Sequence, residues 1–286
     1  MKRESLSLGG QAVIEGVLIK SSSHYAIAVR KKNKSIFVKR FSSHSWTKSH
    51  RFLQLPLVRG CVVLIETVII GIRALSFSAE KAGGKEEELS SVELLLTLLA
   101  SFAGVLLLFK LLPLWVAMLI QTATGAGQLV FTVLDGLLKI IIFVVYIYII
   151  GRMRDVKRLF EYHGAEHMAV HCFESGKPLV VRNVKAFPPE HPRCGTAFIL
   201  FVFLASVLVY LFIPAKFSLA EKFGWRLILL PLIVGLSYEW IKFGGSSGKL
   251  ARITSEPGLW LQKLTTKKPS SDKIEVAISA LKCAVR

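Results

Sequence analysis

The N-terminal quarter of the chain alternates short apolar runs with polar turns. Gln11 to Ile19, Tyr25 to Arg30 and Ser35 to Lys39 are β-branched and strand-sized, and Ser21-Ser22-Ser23 and Lys31-Lys32-Asn33-Lys34 separate them. This spacing predicts a small antiparallel meander, with Gly9, Gly10 and Gly16 suited to tight turns or close backbone approach. A longer apolar run from Pro56 to Ser78 is interrupted at seven-residue intervals by Arg59, Glu66 and Arg73. That interval lines the charges along one helix face, which predicts an amphipathic helix on a membrane surface or on the N-terminal module, in preference to a span. Lys81 to Glu88 reads as a polar linker.

Four later stretches are apolar enough to cross a bilayer, which takes about 20 residues. The first runs from Val92 through Leu108, with a break at Pro113 before a short interfacial end at Leu114 to Ile120. The others are Leu129 to Ile150, Thr196 to Ile213, and Trp225 or Arg226 to Ile241. Lys110, Asp135 and Lys139 fall in or near the first two, where ionisable groups are costly and usually face a partner or cavity. Antiparallel packing predicts a structural Lys110–Asp135 ion pair. Between the second and third spans lies a polar loop whose Pro178 to Arg182 reads as a further strand. Gly244 to Gly248 reads as a hinge, and Leu259 to Leu264 and Ile274 to Leu281 as two small helices on the membrane surface or the cytosolic module.

The predicted fold is therefore an α+β membrane protein: four transmembrane helices with a small β-rich cytosolic module assembled from the N-terminal segment and the central loop. Residues 1–55 form the meander, 56–91 the amphipathic helix and linker, 92–150 the first two spans, 151–195 the central loop, 196–241 the last two spans and 242–286 the tail. Composition agrees, since 52% hydrophobic residues and a mean hydropathy of +0.52 exceed what an ordinary soluble domain carries. With 37 Lys+Arg against 19 Asp+Glu the net charge is +18. The basic residues cluster before the first span, in the central loop and in the tail, and the positive-inside tendency places all three in the cytosol. The four cysteines form no Cys-x-x-Cys pair, which points to reduced thiols. Met1-Lys2-Arg3-Glu4-Ser5 leads into Gly9-Gly10 and not into an apolar core, so no cleavable secretory signal is expected.

The candidate chemistry sits in the central loop. His163, His167 and His171 are four residues apart and would share one helix face, with Glu166 beside them. His163-x-x-Glu166-His167 has the form of the inverted zincin motif, two histidines holding zinc and a glutamate activating water. His191 and Cys194 are candidates to complete the ligand set, as is Glu174, because imidazole and thiolate suit zinc. The alternative is that these histidines only support the fold. Glu15 is the single acid in the first strand, either a solvent-facing residue or a functional carboxylate.

Gly9-Gly10-Gln11-Ala12-Val13-Ile14-Glu15-Gly16-Val17, Arg59-Gly60 with Glu66, Tyr162 to His167, Asn183-Val184, His191 to Thr196 and Leu261 to Thr266 together resemble the YqhQ-like family of bacterial membrane proteins, over nearly the whole chain. That family is of unknown function and is sometimes described as a predicted metal-dependent enzyme. The resemblance implies His163, His167, His191 and Cys194 as ligands and Glu166 and Glu15 as acid or base residues.

Three functions follow. One is a hydrolase at the cytosolic face of the bacterial cytoplasmic membrane, with Zn²⁺ or another divalent metal, Glu166 as general base, and Arg193 or Arg59 against an anionic substrate. A second is a non-catalytic adaptor whose basic face binds anionic lipid, RNA, a ribosome or a membrane-protein assembly complex. The third, a transporter, rests on Lys110, Asp135 and Lys139 alone.

Overall fold

The computed structural model describes residues 8–43, 45–83, 90–244 and 249–285. His44, most of the expected linker and hinge, and the extreme N-terminus lie outside them. The N-terminal runs form β1 (Gly9–Val13), β2 (Gly16–Lys20), β3 (His24–Arg30) and β4 (Ile36–Ser42), an antiparallel meander in that order. The helices are α1 (Trp46–Ser49), α2 (Val58–Gly83), α3 (Ser91–Leu106), α4 (Leu112–Thr124), α5 (Gln128–Ile150), α6 (Arg154–Glu174), α7 (Val181–Val184), α8 (Gly195–Tyr210), α9 (Leu219–Ile228), α10 (Leu230–Gly244), α11 (Lys249–Thr265) and α12 (Ser271–Val285).

Strand alternation turns successive side chains to opposite faces, and both faces of this sheet are covered. Val17, Ile19, Ala26 and Ala28 pack on α6 and α12. Leu18, Tyr25, Ile27 and Val29 pack on the second half of α2 through Ile70, Ala74 and Phe77. The module thus draws on the start, middle and end of the chain. Pro178 to Arg182 adds no strand, contrary to expectation. Val181–Val184 is a short helix, and Val184 is buried in the same core, so the central loop contributes helices to the module instead.

α2 is long and apolar enough to cross a membrane, as are the helix over Leu95–Thr124 and α5; α9 and α10 would supply a fourth if the bent pair counts as one. Leu96, Leu99 and Phe102 on α3 and Leu137, Ile141 and Ile149 on α5 stay exposed, which is compatible with a membrane protein. Three expectations change here. Pro113 does not end the first long helix, because a π-helical turn at Leu107–Leu111 precedes it. The wider turn accommodates the missing N–H and the ring. The third expected span is the 16-residue α8, only about 24 Å long at 1.5 Å per residue against a hydrocarbon core of about 30 Å. It is buried against α5, α10 and α11, which explains why it is apolar all round. The fourth bends by 48° between α9 and α10.

The expected Lys110–Asp135 pair is replaced by a different one. Asp135 binds Lys139 one turn along α5 and Arg226 on α9 at 2.8 Å, all three fully buried. Lys110 donates to the Tyr210 hydroxyl instead, at 3.3 Å. Read as linear sequence, Arg226 marks the water-facing start of a span, and only the bend after α9 carries it inside.

Candidate metal centre

Helix α6 packs Ala165, Met168, Ala169 and Cys172 into the module core, which leaves His163, His167 and His171 as a stripe on another face. Two segments close over that stripe. One is the proline-stiffened stretch from Phe187 to Cys194; the other is the end of α11 and the residues after it.

Glycine makes the approach feasible at two points. A Cβ on Gly164 would stand 2.2 Å from the Lys267 carbonyl oxygen, and Lys267 N–H donates to the Phe160 carbonyl at 3.0 Å. On the sheet side, a Cβ on Gly10 would stand 2.1 Å from Glu166 Oε1. Gly10 is thus the floor of the space that the Glu166 carboxyl fills.

The two closing segments are joined through Gln262, fully buried on α11. Its Oε1 accepts the His191 N–H at 2.7 Å and its Nε2 donates to the His191 carbonyl at 2.9 Å. Gln262→Ala leaves the buried His191 N–H unpaired and its carbonyl with the Cys194 N–H alone, at 3.2 Å, and an unpaired buried group costs roughly 1–3 kcal/mol. The expected outcome is a loss of about 2 kcal/mol in stability, measured as a lowered denaturation midpoint; an unchanged midpoint would remove this clamp from the account.

Backbone carbonyls set the histidine tautomers. His163 Nδ1–H donates to the Thr265 carbonyl (2.9 Å) and His167 Nδ1–H to the Pro189 carbonyl (2.6 Å). Each ring is left with Nε2 as its acceptor atom. His163 Nε2 lies 3.2 Å from Cys194 Sγ, and the ligand atoms of His163, His167 and Cys194 lie within 4.8 Å of one another. Cys194 caps the N-terminus of α8, its sulfur accepting the Thr196 N–H at 3.4 Å.

Glu166 Oε2 is 3.4 Å from His167 Nε2. Burial pushes the Glu166 carboxyl up to about 6, with His163 and His191 pulling it down and Glu174 adding to the rise. Burial also holds His167 below the usual imidazole range, which favours the neutral ring a metal needs.

His191 stands one ring further on, its centroid 5.6 Å from that of His167 and 4.5 Å from that of His171. It gathers with His171 and Glu174, again with ligand atoms within 4.8 Å. Arg193 pairs with Glu174. Glu15 is engaged elsewhere: it sits at the β1–β2 turn and takes a two-pronged bond from Arg158 at 2.6 and 2.5 Å and another from Tyr162 OH at 3.2 Å. Burial raises its carboxyl, but Arg158 and Tyr162 outweigh that and hold it below the usual range. Arg59 forms a bidentate pair with Glu239 of α10. Sequence reasoning did not single out Gln262 or the carbonyls of Thr265 and Pro189 for the site, since backbone acceptors carry no residue-type signal.

Over residues 55–286 the chain matches the family described as "Protein of unknown function (DUF1385)". It is similar to a Bacillus subtilis (strain 168) protein described as "Uncharacterized protein YqhQ", with 34% identity over 289 residues covering 95% of this chain and 90% of that one. No solved structure matches it significantly.

Proposed function

For a chain that belongs to the DUF1385 family of proteins of unknown function, we propose a metal-dependent hydrolase with its centre at His163, His167 and Cys194, facing the cytosol at a bacterial cytoplasmic membrane. The observation that supports it is the pair of Nδ1–H bonds to the Thr265 and Pro189 carbonyls. Ligating histidines characteristically donate their second ring nitrogen in this way, which fixes tautomer and ring direction.

Two imidazoles and a sulfur suit Zn²⁺, and three protein ligands are the complement of a catalytic site with an open position. A divalent cation there supplies Lewis acidity and an acidified water. Glu166, buried beside His167 with its carboxyl raised to about 6, takes the proton of the attacking water as general base; that value lies close to the operating pH, where base catalysis is most effective. Gly10 and the sheet exclude bulk water from the carboxylate. Arg193, at the rim, contacts an anionic group of the substrate.

The test is metal content of detergent-purified protein by elemental mass spectrometry. His163→Ala/His167→Ala is expected to lose about one zinc per chain relative to wild type, as removal of two of three ligands requires. Unchanged content would sink the assignment.

A further inference from the structure

We propose that His171, Glu174 and His191 form a second divalent-cation site beside the first, an inference that deepens the metal-centre reading and rests on it. Their ligand atoms lie within 4.8 Å of one another, and each side chain has a further polar atom besides one that the fold holds. His171 Nε2–H donates to the Glu190 carbonyl at 2.8 Å, which leaves the Nδ1 lone pair free. Glu174 gives Oε1 to Arg193 and faces His191 Nε2 with Oε2 at 3.5 Å. His191 is fixed through its own backbone by Gln262.

One rigid segment serves both sites. The Pro189 carbonyl aims His167, the Glu190 carbonyl aims His171, and the next residue, His191, is itself a donor. Three consecutive residues thus orient one ligand of the thiolate site and two of the new one, and prolines on either side of them limit their freedom. The row of four imidazoles is continuous: His163 and His167 centroids are 4.4 Å apart, His167 and His191 5.6 Å, His191 and His171 4.5 Å.

Without a cation, the His191 ring places its Nε2–H toward Glu174 while its Nδ1 takes the Arg193 N–H at 3.3 Å, the long end of hydrogen-bond range. A cation takes the place of the shared proton between Nε2 and Oε2, and only that weak contact is given up. The donor sets differ in kind. The first site contains sulfur, which suits Zn²⁺, whereas two imidazoles and a carboxylate also accept Mn²⁺ or Fe²⁺.

That difference makes the sites separable by titrating chelator-stripped, full-length protein with Co²⁺. Wild type is expected to bind two equivalents, one of them with a near-ultraviolet thiolate-to-cobalt band. His171→Ala and Glu174→Gln should each bind one equivalent fewer and keep the band; Cys194→Ser should lose the band and keep the other equivalent. Glu174 is partly exposed and glutamine keeps its size, so Glu174→Gln tests the site with the least disturbance of packing. A wild type that binds one equivalent with the band, or His171→Ala and Glu174→Gln variants that still bind two, overturns the second site and leaves the first standing. One equivalent without the band, lost in His171→Ala, supports the second site and removes the thiolate site.

Discussion

Exchanging Glu166 for glutamine will cut turnover by two to four orders of magnitude, the range over which a positioned general base acts, and will leave metal content unchanged because no ligand is removed. The same change is expected to stabilise the metal-free protein at neutral pH. The folded-state carboxyl titrates near 6 against an ordinary 4.5, so between those values the native protein holds a proton that the unfolded chain has released. Stability therefore falls as pH rises from about 4.5 to about 6 and stays low above it, by about 2 kcal/mol at 1.36 kcal/mol per pKa unit. Glutamine carries no charge and has no such penalty. Thermal melts of the two metal-free proteins should converge below about pH 4.5 and separate above about pH 6, with the variant higher. Parallel profiles, or full turnover of chromogenic esters that the wild type hydrolyses, would count against Glu166 as the base.

Gly164→Ala reverses what helix propensity alone predicts. In a solvent-exposed helix alanine is favoured over glycine by roughly 1 kcal/mol. Here the added methyl group would lie 2.2 Å from the Lys267 carbonyl oxygen, backbone against backbone, so α6 and the segment after α11 must part. Overpacking of this kind costs about 1–3 kcal/mol. The same segment carries the Thr265 carbonyl that aims His163, and loss of such an orienting partner lowers metal affinity roughly 10–100-fold. Chelator competition and calorimetry on the variant check both effects; an unchanged affinity with an equal or higher melting temperature would refute the packing argument.

The meander was legible because alternation of β-branched residues is a local signal, and the histidine stripe because four-residue spacing sets a helix face. What escaped reading depends on tertiary contacts. Pro178 to Arg182 has strand composition, yet the sheet edge is not where the fold carries it, and Val184 is buried by turning helical. Arg226 is indistinguishable in sequence from a membrane-boundary arginine until the bend at α9 brings it to Asp135. His191 and Cys194 are three residues apart and looked like members of one ligand set. The chain between them turns, so that Cys194 reaches His163 while His191 reaches Glu174. Gln262 in an apolar helical run reads as a surface residue, and only its two bonds to His191 explain its burial.

The order in which the parts are synthesised gives the module a delayed assembly. β1 to β4 leave the ribosome first, but α12, which covers one face of the sheet through Ile274, Ala277 and Leu281, is made last, after all the apolar helices. That face has neither helix until α6 is made and lacks α12 until the apolar helices are complete, and contacts this distant along the chain close slowly. A nascent chain halted after α10 already holds every candidate ligand side chain named above, and lacks the Gln262 and Thr265 groups that position His191 and His163.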